Sequence, residues 1–512
     1  MTDADSSPIS NDQNPTLDPK DWDSFRAQGS EILDVLLAYV ENVRDRPVWQ
    51  PVSEDAKRRL TEPAPQEPAE LADVWDDVQE IILPFANGNI HPRFFGWVLG
   101  TGTPDGVLAE MIAAAMNSNA GGRDHAAVYV ERQVIEWSRQ IFGMPEGTSG
   151  LLLSGTSMAQ VIAMAVARDH MAGVDVRRDG VAAAGRLVAY ASDEVHVSVP
   201  KAAELLGLGT SALRRIEVDS DFRMDVGALA ARIREDRAAG YVPFFVVANA
   251  GSVNTGSVDD LEAIADLCAA ENLWLHVDGA FGSLAVLHPE LADRVRGIGR
   301  ADSVAFDFHK WLHVQYDAGC VLIRDGRMHR DSFTTNQSYL AMGTGGLAGG
   351  APWFCDYGPE LARNFRALKV WFTLRRHGLR RLGEMIYKNC RQAQLLAARI
   401  AQEPELHSAA PVALNVVCFQ YRPTGGDAPD APVAPVEARG DTQDAQSQAL
   451  DELNGAIVTR LHEEGLAAPS TTTLNGRLVI RVALTNHRTA DSDLEVLVDE
   501  VLRIGRSLSA EG

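Results

Sequence analysis

The chain has few cysteines, a shortage of basic residues and no long apolar run. Its five cysteines are scattered without the paired spacing of a metal site, so we expect no metal centre and favour buried thiols over disulfide bonds. With 47 Lys and Arg residues against 70 Asp and Glu residues, the formal net charge is −23, which argues against binding to nucleic acid. No apolar run approaches the roughly 20 residues that a membrane span requires.

The amino terminus lacks the basic and apolar segments of a secretory signal, so we expect a cytoplasmic protein without a membrane partner. The remaining composition is ordinary, because 46% hydrophobic and 23% charged residues are typical of a soluble globular protein. A length of 512 residues exceeds one ordinary hydrophobic core and predicts two or three packed lobes.

The most informative stretch of the chain runs from Ala270 to Cys320. An apolar run at Leu273–Val277 follows a helical pattern, which predicts a buried strand of a parallel sheet, and this run ends in Asp278. A second predicted strand, Ser303–Phe306, leads directly into DFHKW. Because open α/β folds bind ligands at the carboxyl ends of parallel strands, we expect the polar residues after both strands to lie close together.

Asp278 and Lys310 are the two residues that pyridoxal phosphate chemistry needs at such an edge. The cofactor forms a Schiff base with a lysine amine, and a carboxylate keeps its pyridine nitrogen protonated so that the ring can accept electrons. The alternative is a buried aspartate and a solvated lysine, each without a role. Taken together in their HVDGA and HKW contexts, the two residues favour the cofactor.

Several motifs resemble the group II pyridoxal-phosphate decarboxylases, the family of the aromatic-L-amino-acid and glutamate decarboxylases. They occur in one order over nearly the whole chain, from about Trp22 to Leu502, and comprise SDEVHVSVPKA, HVDGAFG, DFHKWL, ARNFRALKVWF and RVALTNHRT. The resemblance implies an α/β enzyme of fold type I (aspartate-aminotransferase-like), with a large, mainly parallel sheet. The expected parts are a disordered tail (1–20), a helical arm (21–90), a cofactor-binding domain (91–380) and a small α/β domain (381–512) with a flexible insertion near 423–448.

The resemblance also implies the roles of the site residues. Lys310, His196 and Asp278 are the expected catalytic residues, and His196 is expected to stack on the cofactor ring. A strand followed by SGTS at a helix start predicts a phosphate site at Thr156 and Ser157, although both could simply cap the helix. Lys201 is the rival Schiff-base lysine, but no strand runs into its helix. The expected cofactor-binding residues are Thr156, Ser157, His196, Ser252, Asp278, Ala280, Asp307, His309 and Lys310.

The substrate residues are less closely specified. Trp97 falls where the aromatic-amino-acid enzymes carry an aromatic residue, whereas Arg93 and His125, like Arg123, could contact a substrate or serve only the structure. Relatives protonate the substrate carbon with a loop tyrosine. An ungapped alignment places Phe354 there, and Tyr357 or Tyr339 could replace it if the loop is gapped, in a Gly-rich region (343–350) that is expected to act as a lid.

The predicted function is the decarboxylation of an L-amino acid, most simply an aromatic one, to the amine and carbon dioxide through an external aldimine and a quinonoid intermediate. Phe354 motivates a second hypothesis, because a phenylalanine at that place marks the aldehyde synthases, which couple decarboxylation to oxidative deamination. A third hypothesis is a non-catalytic regulatory protein that binds pyridoxal phosphate. If fold type I holds, a homodimer with its active site at the interface is expected. The helical arm could then lie on the partner or on its own subunit.

Overall fold

The computed structural model describes residues 16–334, 343, 345–424 and 441–511. The chain divides into two compact units, of which the first comprises the residues up to Asp45 together with Val52–Ala86, and the second comprises Arg46–Pro51 and Asn87–Gly512. Tyr339 and most of the predicted flexible insertion lie outside the described residues. The predicted tail is described only from residue 16, and the domain boundaries proposed from the sequence stay predictions.

The first unit is helical, as the spacing of its apolar residues predicts. Its helices are α1 (Trp22–Glu41), α2 (Glu54–Arg59) and α3 (Leu71–Asp77), and α3 continues into a π-helical turn at Val78–Ile82. The carboxylate of Asp21 caps α1 by accepting the N–H groups of Asp23 and Ser24, which satisfies donors that the helix itself leaves unpaired.

A seven-stranded sheet forms the centre of the second unit in the described part of the chain. The spatial order is β1-β7-β6-β5-β4-β2-β3, and β7 alone runs antiparallel to its neighbours. The strands are β1 (Ser149–Leu153), β2 (Leu187–Ser192), β3 (Leu213–Ile216), β4 (Val242–Asn249), β5 (Trp274–Asp278), β6 (Ser303–Asp307) and β7 (Gly319–Ile323).

Burial explains why these strands are nearly continuous apolar runs. Every residue of β2, β5, β6 and β7 is buried, as expected for a parallel sheet covered by helices on both faces. This architecture confirms the expected α/β class and the mainly parallel sheet. The helices of this part are α4 (Pro104–Met116), α5 (Ala126–Ile141), α6 (Thr156–Met171), α7 (Val176–Asp179), α8 (Ser198–Leu205), α9 (Val226–Ala238), α10 (Leu261–Glu271), α11 (Pro289–Ala292), α12 (Phe308–Trp311) and α13 (Gly326–Phe333).

A second, antiparallel sheet follows later in the chain, in the order β10-β11-β9-β8. Three long helices pack against this sheet, and together they form a separate hydrophobic cluster that includes Phe419 and Leu497. A 35-residue helix, α14, precedes the sheet and passes through position 380, with a non-helical backbone at Gly378. The elements are α14 (Arg366–Ile400), β8 (Leu406–Ser408), β9 (Val416–Tyr421), α15 (Asp441–Glu463), β10 (Ser470–Leu474), β11 (Arg477–Ala483) and α16 (Asp491–Glu511).

Within the described ranges, no helix combines the length and the apolar character needed to cross a bilayer.

Candidate active site

The carboxyl ends of β5 and β6 bring two aspartates to one edge of the large sheet. Asp278 ends β5 and Asp307 ends β6, and the two strands pair in parallel. Ala280 joins them, because its N–H donates to Asp278 Oδ1 (3.2 Å) and its carbonyl oxygen accepts the N–H of Asp307 (3.0 Å). The sheet itself therefore fixes the separation of the two carboxylates.

Lys310 lies one helical turn beyond Asp307, in the short helix α12. Its Nζ atom is 3.1 Å from Asp307 Oδ2, and its side chain is 20% exposed whereas that of Asp307 is 3% exposed. The other carboxylate oxygen, Oδ1, accepts the N–H of Thr156 at 2.8 Å. One buried carboxylate thus connects the lysine to the first turn of α6.

The start of α6 has the features of a phosphate site. Gly155 precedes the helix and has no side chain with which to cap it, and Asp307 Oδ1 accepts the N–H of Thr156. The hydroxyl of Thr156 is buried and has no hydrogen-bond partner within the described ranges, whereas Ser157 is exposed. An uncapped helix start carries partial positive charge, and an orphaned hydroxyl beside it can donate to an anion. Both observations fit the phosphate group of the expected cofactor.

Glycines keep this helix start close to the aspartate. A Cβ atom on Gly319 would collide with the Cα of Gly155 and would lie 2.7 Å from Asp307 Oδ1. A larger residue at the start of β7 would therefore push α6 away from Asp307. The sequence analysis missed this contact, because the two glycines are far apart in the chain.

Asp278 lies in an electrostatic environment that disfavours its negative charge. Burial raises the pKa of its carboxyl to about 6, and the positive charge of Lys310 opposes that shift. Among the described residues, Asp278 forms no salt bridge, and its carboxylate accepts a hydrogen bond from Ala280. A protonated ring nitrogen would supply the missing positive partner, so the residue fits the expected pyridinium contact.

His196 follows β2 at the same edge of the sheet. Its Nδ1 atom accepts the N–H of Ser198 (3.2 Å) and lies 2.8 Å from the Ser198 hydroxyl, which fixes the ring before α8 begins. Burial lowers its pKa, and the charge of Lys310 lowers it further, while Asp307 raises it. His196 is therefore close enough to respond to both charges, as a ring-stacking residue would be.

His309 lies beside the same carboxylate oxygen of Asp307 as Lys310 does. Its Nδ1 atom accepts the N–H of Ala318 (3.1 Å), which leaves the proton on Nε2, 3.7 Å from Asp307 Oδ2. The ring also packs against Tyr316 with a centroid separation of 4.2 Å. Burial lowers the pKa of His309, so a neutral ring that orients the aspartate is its natural state.

Ser252 belongs to a loop that begins beside Asp278, since the N–H of Ala250 donates to the carbonyl oxygen of Asp278 at 2.8 Å. The Ser252 hydroxyl is buried and lies 3.0 Å from the Thr255 hydroxyl and 2.8 Å from that of Ser257. It is thus bonded within its own loop, and its contact with the cofactor stays a prediction. Asp259, just after this loop, accepts two backbone N–H groups in the interior.

The predicted substrate residues are dispersed over the second unit. Trp97 has a left-handed backbone (φ +51°) and a side chain that is 58% exposed. The Nε2–H of His125 donates to the carbonyl oxygens of Asn119 and Gly122, so its ring stabilises a turn. The backbone N–H of Arg93 donates to His91 Nδ1, and its Nε is buried without a partner among the described residues.

Phe354 and Tyr357 lie near the amino ends of β1 and β6, whereas Lys310 follows the carboxyl end of β6. They line a cavity of about 1150 Å³ together with Ser149, the first residue of β1, and Arg324, which follows β7. Because β7 runs antiparallel, its end meets the amino ends of β1 and β6, whereas the lysine follows the carboxyl end of β6. The ungapped alignment could not show this, since position along the chain does not determine the edge of the sheet. Within this chain, the structure does not bring Phe354 or Tyr357 to the lysine.

Comparisons with known proteins identify the family of the chain. The family model described as the pyridoxal-dependent decarboxylase conserved domain matches residues 53–422. The aromatic-L-amino-acid decarboxylase of Bacillus atrophaeus is 31% identical over 498 residues, which cover 95% of this chain and 96% of that protein. The enzyme of the same name from Sus scrofa is 31% identical over 424 residues, which cover 78% of this chain and 85% of that protein.

Solved structures show the same fold. Oryza sativa TDC, solved with PLP and tryptamine, has a TM-score of 0.86 at 26% identity and covers 96% of this chain and 100% of its own. Rhodiola rosea 4-hydroxyphenylacetaldehyde synthase has a TM-score of 0.81 at 23% identity, covering 96% of this chain and 99% of its own, which shows a shared fold. The chain therefore belongs to the group II pyridoxal-dependent decarboxylase family and is a fold type I carboxy-lyase with pyridoxal phosphate as its cofactor.

Proposed function

We propose that this protein converts an L-amino acid, and specifically an aromatic one, to the corresponding amine and carbon dioxide. The observation that carries the proposal is the arrangement at the carboxyl ends of β5 and β6, where Lys310 is paired with Asp307, and Asp278 is buried and forms no salt bridge among the described residues. The relatives named aromatic-L-amino-acid decarboxylase support the aromatic substrate, as does an aromatic side chain at Trp97.

Pyridoxal phosphate, when bound, accepts the electron pair that the Cα–carboxylate bond releases. Lys310 would bind the cofactor covalently and give it up to the substrate amine, with Asp307 holding the amine in place. Asp278 would hold the proton on the ring nitrogen. The first turn of α6, at Thr156 and Ser157, would hold the phosphate. His196 would lie over the ring and exclude water from that face.

A homodimer fits the surface of α4. Leu108, Met111, Ile112 and Met116 repeat at helical spacing and are 40–49% exposed. These positions form one apolar face of the helix, and a contiguous apolar patch on a soluble protein marks an interaction surface. We propose that a second copy of this chain covers it. The cytoplasmic location stays a prediction from the sequence.

The first experiment is an absorption spectrum of the purified protein before and after borohydride reduction, followed by mass mapping of the modified peptide. We expect a visible band that reduction removes and a pyridoxyl group on Lys310. Lys201→Ala should keep the band, and Lys310→Ala should lose it. Modification of Lys201 instead would overturn the assignment.

A product assay then separates the three hypotheses. Carbon dioxide with a stoichiometric amine from an aromatic amino acid supports decarboxylation. Aldehyde, ammonia and peroxide as products would instead support the oxidative reaction, the hypothesis that Phe354 motivates. A protein that carries the visible band but turns over none of the twenty amino acids would favour the regulatory role.

A further inference from the structure

A large cavity lies near the amino ends of β1 and β6, apart from the proposed cofactor site. It is the cavity of about 1150 Å³ that Phe354 and Tyr357 line, slightly larger than the usual small-molecule site of roughly 300–1000 Å³. Its lining comes from α5, the turn before β1, the start of α13 and residues 351–357. Lys310 follows the carboxyl end of β6, so the cavity is distinct from the site of the proposed reaction.

Charged side chains of both signs line the cavity, but its acidic groups are mostly engaged within the protein. Four arginines and three acidic residues contribute, namely Arg132, Arg324, Arg327, Arg330, Glu136, Glu146 and Asp325. Glu136 accepts two hydrogen bonds from Arg139, at 2.7 and 2.8 Å. The Asp325 carboxylate accepts two backbone N–H groups in the first turn of α13, and Glu146 is exposed to solvent. The carboxylates of Glu136 and Asp325 are therefore already compensated.

Two of the arginines form no salt bridge within the described ranges. The Nη2 atom of Arg132 donates to the carbonyl oxygens of Gly350 and Pro352. Arg324 likewise donates to two backbone carbonyl oxygens, and burial lowers the pKa of its guanidinium. Carbonyl groups orient a guanidinium without neutralising its charge, so both cations are held in place with a charge that a bound anion would balance.

Arg330 is only weakly paired and lies close to the same part of the cavity as Arg132. Its Nη2 atom is 3.9 Å from Asp356 Oδ2, beyond hydrogen-bond distance, and its Nε atom is buried without a partner among the described residues. Burial raises the pKa of the Tyr357 hydroxyl, and the charges of Arg330 and Arg132 both oppose that shift. The two guanidinium groups, one from α13 and one from α5, thus approach the same phenol.

The neutral part of the lining is suited to a ring. Phe354 and Tyr357 form an aromatic wall, with their ring centroids 6.5 Å apart. Ser149 adds a hydroxyl group, which lies 2.8 Å from His329 Nδ1. Guanidinium groups match the geometry of phosphate oxygens, and a flat ring packs favourably on an aromatic side chain. The cavity therefore combines contacts for an anion with contacts for a ring.

We propose that this cavity binds an organic phosphate that carries a flat ring, as a nucleotide does. Arg132 and Arg330 bind the phosphate, and Phe354 and Tyr357 pack against the ring. The phosphate supplies the negative charge that neither arginine has at hydrogen-bond distance in the described part of the chain. The site is additional to that of the proposed decarboxylation and does not depend on it.

The test is isothermal titration calorimetry with AMP as the probe. The holoenzyme is first reduced with borohydride and freed of excess cofactor, so that AMP cannot occupy the cofactor site. We expect one AMP per chain, and Arg330→Met should weaken binding at least about tenfold, because a charge-assisted hydrogen bond is lost. The absence of binding to the holoenzyme would overturn the proposal.

Arg327→Met is the matched control for this variant. Arg327 lies on the same helix and the substitution removes the same charge, but its side chain is 90% exposed. We expect Arg327→Met to change the Kd of AMP by less than about threefold, because solvent screens an exposed charge. Equal weakening by Arg327→Met and Arg330→Met would show an effect of net charge alone and would contradict the site.

Two further probes separate the ring from the phosphate. Phe354→Leu should weaken AMP binding about threefold and leave pyrophosphate binding unchanged, because only the ring packs against the aromatic wall. Adenosine, which lacks the phosphate, should bind far more weakly than AMP. Pyrophosphate binding as tight as that of AMP would reduce the site to one for simple anions and overturn the ring contact.

A measurement on the native protein covers the case in which Arg330→Met does not fold. Phenylglyoxal modifies accessible guanidinium groups, and tandem mass spectrometry locates the modified arginines. Saturating AMP should slow the modification of Arg330 at least about fivefold, because only the unliganded fraction reacts, and should leave Arg327 unaffected. Equal rates at Arg330 with and without AMP would exclude the nucleotide from this cavity.

Discussion

The Nζ atom of Lys310 lies 3.1 Å from Oδ2 of Asp307. The other oxygen of the same carboxylate accepts the N–H of Thr156, at the helix start that fits the phosphate. Asp307 therefore sets the distance between the amine that we propose to bind the cofactor covalently and the helix start that we propose to bind its phosphate. The carboxylate is 3% exposed, so water cannot substitute for it easily.

Asp307→Ala and Asp307→Asn should differ in stability. Alanine leaves the buried N–H of Thr156 without an acceptor, which should lower the free energy of unfolding by about 1–3 kcal/mol. Asparagine keeps an oxygen for that N–H, so its cost should be smaller, at about 1 kcal/mol. Urea denaturation of the cofactor-free proteins measures both. Equal losses would show that the bond to Thr156 does not contribute.

Asp278→Asn should stabilise the cofactor-free protein at high pH. The folded-state pKa is about 6 and the unfolded value is about 3.9, so the folded state binds the proton more tightly. The Asp278 carboxyl group therefore does not lower the free energy of unfolding below pH 4, and it lowers this free energy increasingly as the pH rises from 4 to 6. We expect asparagine to add about 1–3 kcal/mol to the unfolding free energy at pH 8 and none at pH 4, while abolishing decarboxylation.

Asp259 provides the control for this pH experiment. Burial also raises its pKa to about 6, but its two oxygens accept the N–H groups of Met224 and Asn249, each at 2.7 Å. Asparagine there would place an amide donor against a backbone donor. Asp259→Asn should therefore destabilise the protein at pH 8. Stabilisation by both substitutions would mean that burial alone, and not a missing cation, governs Asp278.

Breaking the buried pair of Arg363 and Glu131 should destabilise the protein far more than breaking an exposed pair. Both side chains are 1% exposed, and the guanidinium binds both carboxylate oxygens and the carbonyl oxygen of Leu152 at the end of β1. Glu131→Gln removes the buried partner of this charge and leaves only the more exposed Glu360 at 4.0 Å, so it should cost about 3–5 kcal/mol. Glu136→Gln, which breaks an exposed pair with Arg139 on the same helix, should cost less than about 1 kcal/mol. Thermal denaturation compares the two, and similar losses would contradict the argument.

Ile112→Glu should weaken the proposed homodimer. A charge on the apolar face of α4 would lose its hydration if a second copy covered that face. Leu395→Glu is the matched control, because Leu395 on α14 is 42% exposed and Ile112 is 44% exposed. Sedimentation velocity should show a dimer that Ile112→Glu dissociates at micromolar concentration and Leu395→Glu leaves intact. A dimer that withstands Ile112→Glu must use another surface.

The strands β5 and β6, and the placement of Asp278 and Asp307 at their carboxyl ends, could be predicted because the signals are local. Both strands are short, mainly apolar runs in which every residue is buried, Asp278 and Asp307 are their last residues, and Lys310 follows three positions after Asp307. The order of several motifs along the chain then indicated one family. The confirmed expectations, namely the fold, the cofactor and the enzyme class, all depend on these short patterns.

The tertiary structure alone decided which distant residues meet. Phe354 and Lys310 are 44 positions apart, yet they lie at opposite edges of the sheet because β7 reverses the chain between them. Arg481 binds the carbonyl oxygen of Trp97, which lies 384 positions earlier in the chain. Only the structure shows that the Arg481 guanidinium is buried without an acidic partner among the described residues, and therefore that its burial costs free energy. Sequence patterns record which side chains face a core, but electrostatic and hydrogen-bond partners depend on how the packed elements cross in space.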